Sequence, residues 1–282
     1  MSSNIPKFEA RALTRTYGHG KKLRTAVDNV SFTIADGQII SLVGQSGCGK
    51  TVLAKMLLRL ERPSSGELYF AGKPIAAVHD RREHWRRVQA VFQDPFSAFN
   101  QFFTIRSQLK SSFRLFEERP PDAEMEARID RALRAVNIEP REIDGKYPFE
   151  LSGGQMQRML LARIFILRPE VLIADEPTSM VDACSRAGIL EYLMKLKREL
   201  SMTIVFVTHD IGLAYYVSDS IFIMHEGRIV EQGSPDEVTQ APKSEITRQL
   251  LDDIPQLNRD WLERATPAER GAMRAKRMVP AS

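Results

Sequence analysis

Three runs in this 282-residue chain are apolar almost without interruption: Gln38 to Val43, Glu170 to Ala174 and Met202 to Thr208. A half-buried strand alternates apolar and polar side chains, so unbroken runs predict strands covered on both faces, as in a parallel sheet flanked by helices. Nearer the N-terminus, Phe8 to Arg15, Ala26 to Ile34 and Gly66 to Phe70 read as an antiparallel section wrapped around the first of those strands. Lys50 to Leu60 is rich in good helix formers. Between about residues 100 and 150 the period lengthens, and Met125, Ile129, Leu133 and Val136 fall at helical spacing as the core stripe of a helix. The pattern predicts an α/β fold with a mixed β core, an N-terminal antiparallel β section and an inserted helical segment.

The polar residues at the ends of the buried runs carry the candidate chemistry. After Val43 comes Gly44-Gln45-Ser46-Gly47-Cys48-Gly49-Lys50-Thr51, so strand, glycine loop and helix stand in the order of a phosphate-binding loop. Glycines let amide N–H groups approach phosphate oxygens closely, and the helix N-terminus faces the same anion. Lys50 is placed to bridge the β- and γ-phosphates of a nucleotide, and the Thr51 hydroxyl to ligate Mg²⁺. Asp175 and Glu176 end the second run, at the sheet edge where ligands bind in open α/β folds. Adjacent carboxylates there need partners: Mg²⁺ through its water shell for Asp175, and an attacking water for Glu176. His209 ends the third run at the same edge, and is read as a γ-phosphate contact that orients this water. His19, His79, His84 and His225 have neither that placement nor metal-ligand spacing and are expected at the surface.

Four further motifs stand in order around these: Tyr17 in Arg-Thr-Tyr-Gly, Gln93 in Val-Phe-Gln-Asp-Pro, Leu151-Ser-Gly-Gly-Gln155, and Asp182 in Ser-Met-Val-Asp. Together they make residues 7–255 resemble the nucleotide-binding subunit of an ATP-binding cassette (ABC) transporter. The resemblance implies a P-loop NTPase of the ABC type, with a helical subdomain at about 100–150 between the Gln93 loop and the signature sequence. It implies that Tyr17 stacks on adenine, and that Gln93 meets Mg²⁺ and the nucleophilic water while its loop senses the membrane partner. Ser152, Gly153, Gly154 and Gln155 then contact ATP bound to the opposite subunit, and Asp182 lies in the loop through which the two subunits communicate. The family usually has Ser-Ala-Leu-Asp there; this chain has Met180 and Val181 before the same carboxylate. Residues 256–282 are left as a C-terminal extension, poorly ordered toward its end.

The implied function is that of an ATP-hydrolysing subunit in a multisubunit importer. Two ATP molecules are clamped between this chain and a second cassette, identical or different, and hydrolysis is coupled to two transmembrane permease subunits served by an extracytoplasmic solute-binding protein. Phe96, Phe99, Phe102 and Phe103 follow Gln93; some are expected under the helices, and an exposed subset as a cleft for a short helix of the membrane subunit. The Gln93–Asn100 stretch and the segment Ala241–Pro255 resemble the ATPases of dipeptide and oligopeptide importers, implying peptides or related small solutes such as oligosaccharides as cargo. No cysteine cluster follows, so no iron–sulfur cluster is expected.

Composition excludes other classes. The net charge of +4 is too small to argue for nucleic-acid binding, and Cys48 and Cys184 lack any framework spacing, which fits a reducing cytosol. No apolar run reaches the roughly 18 residues a membrane helix needs, and the N-terminus has no signal-peptide core. The chain is therefore expected to sit peripherally on the cytoplasmic face of the inner (plasma) membrane. The alternative is a soluble ABC-type ATPase accessory to a non-transport enzyme or assembly complex.

Overall fold

The computed structural model describes residues 5–78, 80–179 and 183–253. Asp182, with Met180 and Val181, lies outside the described residues, as do His79 and the C-terminal extension 256–282. In chain order come β1 (Phe8–Tyr17), β2 (Arg24–Ile34), β3 (Ile39–Val43), α1 (Lys50–Leu57), β4 (Ser65–Phe70) and β5 (Lys73–Pro74). Next are α2 (Arg81–Arg87), β6 (Val88–Val91), α3 (Ile105–Ser111), α4 (Asp122–Ala135), α5 (Gly153–Leu167), β7 (Val171–Asp175) and α6 (Ala183–Leu200). The chain closes with β8 (Thr203–Thr208), α7 (Ile211–Val217), β9 (Ser220–His225), β10 (Arg228–Gly233), α8 (Pro235–Gln240) and α9 (Glu245–Asp252). They fall into two compact units, Met1–His79 with Lys197–Ser282, and Asp80–Leu196.

In the first unit β2-β1-β4-β5 form an antiparallel sheet. Its inward face follows from alternation: Val30, Phe32 and Ile34 are buried while Ser31 and Thr33 are exposed. The phosphate-loop strand does not pair with these strands. β3 belongs to a second sheet, in which it runs parallel to both β8 and β9, with β10 antiparallel to β9 at the edge. The two sheets meet through Phe32 and Phe222, whose ring centroids are 5.8 Å apart. Every residue of β3 and β8 is buried, which is why neither run alternates. Ile211 and Ala214 of α7, Val238 of α8 and Leu250 of α9 cover this sheet from one side, against Val43, Ile221 and Ile223.

The C-terminal helices are fastened by one carboxylate. Glu231 of β10, 8% exposed, accepts from the Lys243 amide at 2.9 Å, the Ser244 amide at 3.0 Å and the Thr247 hydroxyl. Burial pushes its pKa up, but the Lys243 amide, the Thr247 hydroxyl and the Ser244 amide outweigh this and hold it below the ordinary value. A depressed folded-state pKa contributes stability that is complete above the unfolded carboxylate range, about 4.3, and lost as pH falls through the lower folded value. Glu231→Gln is expected to cost about 1.5–3 kcal/mol at neutral pH. The variant and parent melting curves should converge as the pH is lowered below 4, which thermal melts across pH would measure.

In the second unit β6 and β7 pair in parallel, from Val88 opposite Val171 to Val91 opposite Ala174. Met125, Ile129, Leu133 and Val136 are fully buried, so the predicted stripe is the core face of α4. Arg106 of α3 ties the helices together, reaching Glu126 at 2.8 Å, Asp130 at 2.7 Å and Asp144 at 3.1 Å. One expectation fails here: His84 is not at the surface but only 2% exposed, on the inward side of α2. His19 is exposed and His225 half-buried.

Candidate functional site

The first unit builds the phosphate loop from two close backbone approaches. A Cβ on Gly44 would lie 2.1 Å from the Met224 carbonyl oxygen, and one on Gly49 would lie 2.1 Å from that of Ala26. Gly49 also holds φ +107°, a conformation only glycine takes without strain. These glycines are therefore required by the protein's own packing as well as by the shape of the loop. Gln45, Ser46 and Gly47 form an exposed rim, whereas Cys48 and Lys50 are buried at 7% exposure each. The Lys50 ammonium donates to the carbonyl oxygens of Gly44 at 2.6 Å and Gln45 at 2.9 Å, with Cys48 Sγ at 3.9 Å. No side chain caps α1, so the loop curls around a cation directly before a helix N-terminus. Thr51 follows in the first turn with its side chain exposed.

His209 arrives at the same edge through strand pairing. Val43 and Thr208 are opposite one another in parallel β3 and β8, so Gly44 and His209 are the next residues out of neighbouring strands. Tyr17 reaches this region along β2: it pairs with Arg24, two residues before the Ala26 carbonyl that touches Gly49, a span of about 7 Å. Its ring is 37% exposed, with the Arg15 guanidinium 4.5 Å from the ring centroid.

The second unit gathers the other candidates in the same way. Val91 lies opposite Ala174, so Gln93 and the Asp175-Glu176 pair leave adjacent parallel strands at their C-terminal ends. Gln93 is exposed, Asp175 is 5% exposed as the last residue of β7, and Glu176 turns the chain sharply at φ +49°. Ser152 caps α5: its Oγ accepts from the Gln155 amide at 3.2 Å, and Gln155 Oε1 accepts from the Ser152 amide at 3.0 Å. That reciprocal box leaves the Ser152 hydroxyl proton as a donor at an exposed helix N-terminus beside Gly153 and Gly154. Further along α5, Arg163 donates to the Ala98 carbonyl at 3.4 Å and lies 5.4 Å from the Phe99 ring centroid, and burial pushes its pKa down. The helix that starts with the Ser-Gly-Gly sequence therefore also props the loop that follows Gln93.

The family model described as "ABC transporter" matches residues 27–179. The chain belongs to the ABC transporter family. It is an ABC cassette of α/β fold, with the antiparallel N-terminal section and inserted helices its sequence implied. It is 35% identical over 255 residues to a putative peptide import ATP-binding protein of Brucella ovis, covering 90% of this chain and 80% of that protein. It is 34% identical over 235 residues to the oligopeptide transport ATP-binding protein OppF of Lactococcus lactis subsp. lactis, covering 83% and 73%. Among solved structures, the dimeric cassette MJ0796 in a post-hydrolysis state bound to ADP and Pi matches with TM-score 0.72 at 27% identity, over 81% of this chain and 98% of that one. The cassette cbiO1 of Clostridium perfringens, part of the ABC transporter complex cbiONQ, matches with TM-score 0.73 at 29% identity, over 92% and 99%.

Sequence reasoning missed two residues of this ABC cassette that support the site, Gln157 and Arg163, and also Glu231, which fastens the C-terminal helices. The signal was present for Gln157 alone, a polar residue on the inward stripe of α5 between Met156, Leu160 and Leu161.

Proposed function

We propose that this chain is the ATP-hydrolysing subunit of a multisubunit ABC importer for peptides or related small solutes. The observation that carries the catalytic reading is the pairing of strand ends, which places Gly44 with His209 in one unit and Gln93 with Asp175-Glu176 in the other. The cargo class is supported by relatives named for peptide import along nearly the whole chain.

Lys50, already held by two carbonyls, exchanges them for the β- and γ-phosphates, and the amides of Gln45 to Thr51 ring the same oxygens. Tyr17 takes the adenine. Thr51, Gln93 and Asp175 offer only oxygen donors, the chemistry a hard cation selects, and fit Mg²⁺. When bound, Mg²⁺ neutralises charge developing on the transferring phosphoryl group. Glu176 aims and deprotonates the attacking water, His209 steadies the γ-phosphate, and Gln93 links the water to the loop that meets the membrane subunits. Ser152, Gly153, Gly154 and Gln155, with Asp182, grip ATP bound to a second cassette, so loss of the γ-phosphate opens the pair. The cassette itself, on this reading, spans residues 7–255.

Attachment to the membrane partner is assigned to an aromatic surface in the second unit. Phe99 is buried, but Phe102 is 88% and Phe103 57% exposed. The Ile105 amide donates to the Lys146 carbonyl at 2.9 Å, which brings this segment beside Tyr147 and Phe149, whose rings stack at 5.6 Å. Phe149 is 68% exposed, and among the described residues no helix is long and apolar enough to cross a membrane. Covering one such ring contributes about 1.5–3 kcal/mol. The double variant Phe102→Ala/Phe149→Ala is therefore expected to weaken co-purification with the permease subunits at least 100-fold while ATP binding by the free chain is unchanged. The function itself is tested by reconstituting the chain with its membrane subunits and binding protein, and measuring ATP-dependent peptide uptake. ATP hydrolysis that no transported solute stimulates, with the chain recovered apart from membranes, would instead favour the soluble accessory role.

A further inference from the structure

Gln157 stands in the second turn of α5, five positions after the Ser152 cap and about 7.5 Å along the axis, and it is 1% exposed. A buried amide needs a hydrogen-bonding partner, and this one has a specific target: Nε2 donates to the Pro177 carbonyl at 2.8 Å. Pro177 is the residue after Glu176. The Glu176 carbonyl accepts from both the amide of Ser179, at 3.2 Å, and its hydroxyl, at 2.9 Å. The turn that carries Glu176 is thus pinned at two successive carbonyls. Pinning matters because Glu176 sits at φ +49°, a left-handed conformation that strains a non-glycine residue and persists where neighbours hold it.

The helix is stiff between Ser152 and Gln157. A displacement of the Ser152–Gly154 end therefore passes to the Pro177 carbonyl and changes the direction of the Glu176 side chain. We infer that Gln157 is a positioning residue: its buried amide couples the signature helix to the turn that aims Glu176, so that gripping the opposite subunit's nucleotide sets the chain's own attacking water. This link rests on the roles proposed above for Glu176 and Ser152–Gly154.

The test compares the assembled complex carrying Gln157→Leu, Glu176→Gln or both, by steady-state and single-turnover ATP hydrolysis, with thermal melts of each full chain. Gln157→Leu removes the donor at similar volume. It is expected to lower kcat about 10–100-fold, with KM for ATP within threefold and a Hill coefficient for ATP reduced toward one. In the Glu176→Gln background it should add no further loss, because it acts through that carboxylate. Gln157→Met, unbranched like the native side chain, gives the same readout if the leucine variant melts too low to assay. Normal kcat in either variant, a raised KM with kcat intact, or an equal further loss in the Glu176→Gln background would overturn the inference. Failure of the underlying reading looks different: Glu176→Gln itself would then turn over at the parent rate.

Discussion

Glu176→Gln is expected to lower ATP hydrolysis by about 10²–10⁴-fold, the contribution of a positioned general base, while leaving ATP affinity within a few-fold of the parent. The amide keeps the carboxylate's shape but cannot take a proton from water. Asp175, the buried last residue of β7, is untouched by the change, and the left-handed turn at Glu176 is made by backbone that the substitution retains. Binding without hydrolysis should therefore accumulate a closed pair of cassettes. Size-exclusion chromatography with light scattering, run with the second cassette of the complex present, would register it as a shift to the mass of a cassette pair on adding ATP, reversed by removing nucleotide. An unchanged hydrolysis rate, or a variant that stays unpaired with ATP and the second cassette both present, would remove Glu176 from its assigned role.

Lys50→Ala is expected to fail earlier, at nucleotide binding. The parent loop is organised around the ammonium, which holds the Gly44 and Gln45 carbonyls and is almost wholly out of solvent. Alanine removes both the cross-link that shapes the loop and the charge that meets the triphosphate. ATP at 100 times its Kd should stabilise the parent by about 2.7 kcal/mol, seen as a rise in melting temperature. The Lys50→Ala chain should show no such rise, and its hydrolysis should fall at least 10³-fold. Lys50→Arg should not rescue it, because a planar fork cannot occupy a cradle fitted to a point charge. The two variants thus separate: one retains thermal protection by ATP without turnover, and the other loses both.

Much of this was legible along the chain because burial on both faces suppresses alternation. β3, β7 and β8 were recognisable as unbroken apolar runs, and the polar residue that ends each run was the one to examine. The stripe of α4 was legible for the complementary reason, that one wet face imposes a period. What escaped was interaction between distant segments. The arginine-rich composition of α2 masks the inward turn of His84, since periodicity is scored on apolar side chains. Glu231 reads as a polar residue on an edge strand until Lys243, Ser244 and Thr247 close over it. Gln157 stands on the apolar inward stripe of α5, which marks it as buried, but its partner, the Pro177 carbonyl, comes from a segment 20 residues away.

The account depends on ATP being held between two cassettes, and a cryo-microscopy map of the ATP-loaded Glu176→Gln assembly tests that most directly. Ser152 Oγ and the Gly154 amide of one subunit should lie about 3 Å from γ-phosphate oxygens bound to Lys50 of the other. A Ser152–Gly154 turn standing well away from every neighbouring triphosphate would contradict it.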